Sequence, residues 1–234
     1  MKILFEQSPN YTPGTGIPKI GYVLHATLGK FKGAKQTLCA SVRKDSNGND
    51  LGRASAHLLV SETDNEWVEL VKVPDIAWHA GKLDKPDYTG QQALLRDEEG
   101  HFRNPNQYLL GIEICCGWDS NKNGKVDVSE LDMTPWQIEA VAQYLVRNKK
   151  EYGVPINRKR CVGHTNLTSY KSDNMNRHWD KIIDRATSIL LEDEPKQVET
   201  QVKVNAPTLT IEPTKVKLNW VDMIVEFINK FISK

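Results

Sequence analysis

Short apolar segments and amphipathic segments alternate along the first 192 residues of the chain. Short apolar runs bounded by polar turns predict β-strands, whereas apolar residues at helical spacing predict α-helices. These patterns predict strands at 20–27, 54–61, 66–73, 109–116 and 159–164, and helices at 33–45, at 134–153 and around Ile182, Ile183, Ala186, Ile189 and Leu190. Strands that are interleaved with helices predict an α/β domain over residues 1–192.

The helix predicted after Thr134 has both ends marked in the sequence. Thr134 can act as its N-cap, Pro135 fits the first helical position, and Gln137 completes a capping box. Gly153 can end the helix, because glycine readily adopts the left-handed backbone common at that position.

The composition of the chain changes after the α/β domain. Residues 193–218 contain Pro195, Pro207 and Pro213 without any helical period, and we expect them to form an extended linker. In the segment 219–234, apolar residues recur at helical spacing opposite a polar stripe, which predicts a C-terminal amphipathic helix. Such a helix could lie on a membrane surface, dock on its own domain, bind a partner protein or self-associate.

Charge and hydropathy argue against several classes of protein. The 31 Lys and Arg residues balance 30 Asp and Glu residues to a net charge of +1, so we expect no nucleic-acid partner. No apolar run is long enough to span a membrane, and the N-terminal segment lacks the apolar centre of a secretory signal. We therefore expect synthesis in the cytoplasm without a cleavable signal. The four cysteines contain no CxxC pair and are expected to be reduced.

Two of the six histidines lie where predicted strands end. His25 is near the end of the strand at 20–27, and His164 ends another strand. Lys171 and Asp173 follow in a loop, where residues two apart in an extended segment point the same way. Two imidazoles and one carboxylate form a common zinc ligand set that leaves the fourth position open to water. A lone histidine is more often a satisfied polar group than a ligand, so this pattern alone leaves both interpretations open.

Five short sequences occur in a characteristic order: YVLHAT, ASAHLLV, AWHAG, LGIEI and GH…KSD. Over about residues 18–190 the chain resembles the zinc-dependent N-acetylmuramoyl-L-alanine amidases, whose fold is shared by peptidoglycan recognition proteins and amidase-type phage lysozymes. The resemblance implies a mixed central β-sheet flanked by helices. It also implies that His25, His164 and Asp173 bind zinc.

Two further residues are implicated in catalysis by the same resemblance. Glu113 is the one carboxylate in an apolar strand, where burial of an ionised group is costly without a partner or a function. The resemblance implies that Glu113 is the general base, and the alternative is an ion pair at the strand end. Lys171 matches the lysine of the family that stabilises the oxyanion. Its alternative is a solvated surface lysine.

The other histidines are assigned with less support. His79, within AWHAG, resembles the loop of the family at the substrate groove and is expected to bind substrate or help polarise the scissile carbonyl. His57 could contact substrate, support the site or belong to the core. His101 and His178 belong to no motif and are expected on the surface. Cys161 lies three residues before His164, so along a strand it should point to the opposite face and is not expected to bind metal.

A second metal site is predicted independently of the family. The segment DSNKNGKVDVSE at 119–130 fits the calcium-loop pattern D-x-[DN]-x-[DN]-G-x₅-E over its full length. Its expected ligands are Asp119, Asn121, Asn123, the carbonyl of Lys125, Asp127 and Glu130. The flanking sequence is not that of a full EF-hand, so we expect a structural Ca²⁺ site that stiffens an insertion. The alternative is a polar loop that fits the pattern by chance.

These patterns together predict a peptidoglycan hydrolase that uses a zinc-activated water to cleave the N-acetylmuramoyl-L-alanine amide bond. A phage endolysin, which acts on the cell wall after release from the cytoplasm, fits the expected lack of a signal. A lytic effector delivered by a secretion device would have a similar sequence. The alternative from another class is a non-catalytic peptidoglycan-binding module of the same fold, which would not need the complete set of ligands and catalytic residues.

Overall fold

The computed structural model describes residues 4–14, 16–27, 29–44, 47–63, 66–81, 83, 91–116, 132–169, 171, 173 and 175–193. All of them belong to the first of the two units into which the chain divides, Met1–Pro195. The predicted calcium loop at 119–130, nearly all of the predicted linker and the predicted helix at 219–234 lie outside these residues.

A six-stranded mixed sheet forms the centre of the domain, in the strand order β1-β5-β4-β7-β3-β8. The strands are β1 (Leu4–Phe5), β3 (Gly21–Thr27), β4 (Leu58–Val60), β5 (Trp67–Glu69), β7 (Leu109–Cys115) and β8 (Cys161–Gly163). Only the pairing between β4 and β5 is antiparallel in this sheet; the other four pairings are parallel. Two further short strands, β2 (Tyr11–Thr12) and β6 (Ile76–Ala77), pair with each other.

The helices that are described are α1 (Phe31–Cys39), α2 (Pro105–Tyr108), α3 (Pro135–Tyr152) and α4 (Trp179–Asp193). Short 3₁₀ turns occur at Gln91–Leu95, His164–Asn166 and Asn176–His178. No helix within the described ranges combines the length and apolarity needed to cross a membrane. This architecture confirms the predicted mixed sheet flanked by helices.

Strand β7 has one face in the largest hydrophobic cluster and the other face toward the predicted site residues. Its side chains alternate between the two faces, as in any strand. Leu110, Ile112 and Ile114 are fully buried in the largest hydrophobic cluster, which includes α3 and α4. Gly111 and Glu113 therefore face the other side, where the predicted site residues lie.

Helix α3 has the ends that the sequence predicts. The Thr134 side chain accepts a hydrogen bond from the Gln137 backbone N–H, and Gln137 Oε1 accepts one from the Thr134 N–H. The Gln137 side chain also donates to the carbonyl oxygens of Ser61 and Cys115. Gly153 ends the helix with φ of 71°. The capping box thus also attaches the start of α3 to the sheet.

Some predicted boundaries were wrong. The helix predicted at 33–45 is α1, which begins at Phe31 and ends at Cys39. It stops there because Ala40 adopts an extended backbone, and Lys44 then forms a bridge with Asp50. Local apolar spacing does not report such a change of direction.

Candidate metal centre and active site

Parallel strand pairing brings the candidate ligands together. His25 on β3 lies opposite Glu113 on the neighbouring strand β7. On its other side β3 pairs with β8, which ends at Gly163, so that His164 begins a 3₁₀ turn beside the same strand end. The carboxyl ends of neighbouring parallel strands lie at one edge of a sheet, where ligand sites of α/β proteins commonly form.

Three ligand atoms converge at this edge. His25 Nδ1 lies 2.9 Å from His164 Nδ1, and Asp173 Oδ2 lies 3.2 Å from His164 Nδ1 and 3.7 Å from His25 Nδ1. Tetrahedral zinc with ligand bonds of about 2.0–2.2 Å requires ligand atoms roughly 3.3 Å apart. Since the observed separations bracket this value, the arrangement fits a metal ion held by two imidazoles and a carboxylate. Among the described residues, one other cluster has metal-ligand chemistry, Asp97, Glu99 and His101, and it is largely exposed.

The protonation states of His25 and Asp173 suit a cation. Burial, followed by the charge of His164, lowers the pKa of His25 to about 4. Burial alone would raise the pKa of Asp173, but hydrogen bonds with His164 and His25 outweigh it and hold that pKa well below its usual range. Near neutral pH the site therefore offers a neutral His25 and an ionised Asp173, the forms that bind metal.

Glu113 lies half-buried beside this triad. Burial, reinforced by the negative charge of Asp173, raises the pKa of Glu113 to about 8, while Lys171 and Arg43 oppose the rise. The exposed Lys171 also contributes positive charge at His25. A carboxyl that titrates near neutral pH beside a cation site can accept and return a proton.

The structure adds Arg43 to the groups that act on Glu113. Arg43 lies in the segment after α1, and its positive charge lowers the pKa of Glu113. The sequence contains no motif around Arg43 that could have indicated this proximity. It arises from the tertiary fold, since Arg43 and Glu113 are 70 residues apart in the chain.

His79 and His57 lie behind the triad. The His79 ring is buried, with Nδ1 3.0 Å from His25 Nε2 and Nε2 3.1 Å from the carbonyl oxygen of Leu109. His57 has no exposed surface. Its Nδ1 accepts from the Gly111 backbone N–H, and its Nε2 lies 3.3 Å from the Asp75 carbonyl oxygen. This placement favours a supporting role for His57 over contact with substrate.

The remaining sequence predictions have mixed outcomes. The His101 side chain is 76% exposed, as expected. The prediction that His178 lies on the surface was wrong, because it immediately precedes the fully buried Trp179 and only 3% of it is exposed. Cys161 lies in the core cluster that packs against α3 and α4, on the face opposite His25. The predicted orientation of Cys161, on the face opposite His25, is therefore confirmed.

One known protein family matches a part of the chain that includes the site residues. The family model described as N-acetylmuramoyl-L-alanine amidase matches residues 18–181, which include every member of the triad together with Glu113 and Lys171. The chain belongs to this amidase family. No curated protein matches the amidase significantly in sequence.

Several solved structures are similar to this amidase. A selenomethionine derivative of AmpD has a TM-score of 0.55 and 20% sequence identity, with 79% of this chain and 94% of the AmpD chain covered. A mutant of PlyL has a TM-score of 0.49 and 16% identity, covering 80% and 99% of the respective chains. The amidase AmiD from E. coli, in complex with anhydro-N-acetylmuramic acid-L-Ala-D-γ-Glu-L-Lys, has a TM-score of 0.43 and 21% identity, covering 68% and 52%. The AmpD match supports the mixed sheet flanked by helices.

Proposed function

We propose that this amidase is a zinc-dependent hydrolase that cleaves the amide bond between N-acetylmuramic acid and L-alanine in peptidoglycan. The observation that carries the proposal is the convergence of His25 Nδ1, His164 Nδ1 and Asp173 Oδ2 beside Glu113, within a chain of the amidase family. These three residues would hold the zinc ion. When bound, zinc supplies Lewis acidity that polarises the scissile carbonyl and lowers the pKa of water.

The chain contributes a base and a positive charge to the reaction. Glu113 accepts a proton from the attacking water as the new C–O bond forms, and returns it to the L-alanine nitrogen as the C–N bond breaks. A carboxyl with a raised pKa suits both transfers near neutral pH. Lys171, whose charge acts on both Glu113 and His25, stabilises the negative charge that develops on the carbonyl oxygen.

The complete ligand and catalytic set argues against the alternative of a non-catalytic binding module. Grouping two buried imidazoles with a partly buried carboxylate is costly in the absence of a cation, because each polar group loses hydration. A module that only binds peptidoglycan has no use for such a group, nor for a carboxyl of raised pKa next to it. The site therefore supports hydrolysis better than recognition alone.

The product test distinguishes the two functions. Purified cell walls treated with the protein should release L-alanine amino termini without new reducing sugar ends. Chelation should abolish the release, and added zinc should restore it. Cell-wall binding without new amino termini would support the binding module, and new reducing ends would indicate a glycosidase instead.

We also propose that the segment 119–130 binds Ca²⁺ through the ligands that its sequence pattern predicts. The proposal rests on the sequence alone, since the segment lies outside the described residues. Adding Ca²⁺ to metal-free protein should raise its melting temperature, and Glu130→Gln should remove that increase because the twelfth position of the pattern normally supplies both carboxylate oxygens. An equal increase in both proteins, or none in either, would contradict the proposal.

The biological role that we propose is cell-wall lysis after release from the cytoplasm, as by a phage endolysin. A delivered lytic effector is the alternative source of the same activity. The segment 219–234 is proposed to bind a membrane surface, a partner protein or itself, on the basis of its amphipathic sequence. Vesicle cosedimentation and size-exclusion chromatography of the wild-type chain and a Phe227→Glu variant would separate these cases.

A further inference from the structure

Which ring nitrogen of His25 is free to bind a metal ion depends on the hydrogen bond that its other nitrogen makes. A neutral imidazole carries one proton, so one ring nitrogen donates while the other can bind a metal ion. In metalloproteins the second nitrogen of a ligating histidine is usually fixed by a hydrogen bond that selects the tautomer. In this chain the neighbour of His25 Nε2 is another imidazole, that of His79, at 3.0 Å.

A backbone carbonyl settles which nitrogens carry protons. The Leu109 carbonyl oxygen can only accept, so His79 Nε2, at 3.1 Å, must donate to it. The His79 ring is buried and its two printed partners are the Leu109 carbonyl oxygen and His25 Nε2, neither of which is a carboxylate that would stabilise a second proton, so the ring carries one proton. Its Nδ1 is therefore an acceptor, and His25 Nε2 must be the donor.

We propose that His79 is a positioning residue that holds His25 in the Nε2–H tautomer and aims its Nδ1 lone pair at the metal. The inference rests on the proposed zinc site. It replaces the sequence-based expectation that His79 contacts substrate. The hydrogen-bond chain runs from His25 through His79 to the Leu109 carbonyl and ends on the backbone of β7, so the sheet itself orients the ligand.

The residues around the His79 ring hold it in position for this contact. A Cβ atom at Gly111 would lie 2.3 Å from His79 Cγ, closer than atoms can approach, so only glycine leaves room for the ring. His57 accepts from the Gly111 N–H and keeps this part of β7 in place. The Asn106 side chain accepts hydrogen bonds from the backbone N–H groups of His79 and Ala80 at 2.9 and 2.8 Å, which fixes the loop that carries the imidazole.

Two substitutions at position 79 separate the hydrogen bond from the packing. His79→Asn retains an acceptor near the position of Nδ1, whereas His79→Leu fills a similar volume without one. We expect His79→Leu to weaken zinc binding about 10- to 100-fold, the range typical for loss of such a partner, and His79→Asn to recover much of it. Zinc affinity is measured by competition with a chromophoric chelator, and the KM for peptidoglycan should stay unchanged in both variants.

The tautomer is measured directly in the metal-free protein. Long-range ¹H–¹⁵N NMR spectra should show the Nε2–H form for His25 in the wild type and its loss in His79→Leu. Gly111→Ala should have the same effect by displacing the His79 ring. The control is His101→Leu, at an exposed histidine of the cluster of Asp97, Glu99 and His101, which should change neither the His25 tautomer nor the zinc affinity of the triad. Circular dichroism verifies that each variant is folded.

Several outcomes would overturn the inference. They are an Nδ1–H tautomer of His25 in the wild type, unchanged zinc affinity in a folded His79→Leu protein, or a raised KM in that variant at unchanged affinity, which would indicate contact with substrate. Because tautomer and zinc affinity are read without turnover, a wild-type protein that binds zinc but releases no amino termini would refute the proposed hydrolysis alone.

Discussion

Glu113→Gln is expected to reduce the release of L-alanine amino termini by about 10²- to 10⁴-fold, the usual contribution of a general acid–base group. The amide keeps the shape of the side chain but cannot accept a proton from the attacking water. Zinc binding should be retained, because the ligand atoms belong to His25, His164 and Asp173. Turnover on purified cell walls and zinc content per chain are the two measurements.

The matched control is Glu99→Gln. The Glu99 side chain is 80% exposed in the cluster of Asp97, Glu99 and His101, so the Glu99→Gln protein should have wild-type activity. If the Glu113→Gln protein hydrolyses cell walls at the wild-type rate with zinc bound, Glu113 is not the base. If it loses zinc, the loss of activity reports on the metal site instead.

The same substitution should stabilise the metal-free protein at neutral and higher pH. The pKa of Glu113 is raised from 4.5 to about 8 in the folded protein, mainly by burial. The folded state therefore holds the proton more tightly than the unfolded state, and this contribution to stability is lost as pH rises from about 4.5 to 8. Glu113→Gln should melt higher than the wild type at pH 8 and nearly equally at pH 4. A melting difference that is independent of pH would contradict this account.

Asp173→Ala is expected to abolish both zinc binding and hydrolysis. The substitution removes the only carboxylate of the triad and leaves two imidazoles, whose affinity for zinc is much lower than that of three ligands. Zinc content should fall from one ion per chain toward zero, and amino-terminus release should fall by at least about 10³-fold, since both the Lewis acid and the activated water are lost. Added zinc should not restore activity.

Asp180→Ala provides the control for Asp173→Ala. Asp180 is 72% exposed and pairs with Arg158 at the surface, an interaction that contributes little to stability. This variant should keep one zinc ion and full activity. If the Asp173→Ala protein still binds one zinc ion per chain tightly and hydrolyses cell walls, another residue must complete the site.

Local patterns predicted the three longer helices and five of the six strands of the central sheet, and the family motifs predicted that His25, His164 and Asp173 lie together. The ends of α3 were predictable because Thr134, Gln137 and Gly153 act on neighbouring backbone groups within one helical turn. The triad was predictable because His25 and His164 lie at or just after strand ends within short family motifs. Such signals are local, and they need no knowledge of how the strands are ordered.

How these residues support one another depends on contacts between distant parts of the chain. His25 meets His164 from 139 residues away and His79 from 54, contacts that require β3 to lie between β7 and β8. The packing of His79 against Gly111 and the proximity of Arg43 to Glu113 also depend on the tertiary fold. The chemical groups that this amidase carries can be identified from local sequence. Strand register and packing determined which ring nitrogens lie close together and which pKa values shift, because distance and burial are properties of the assembled sheet.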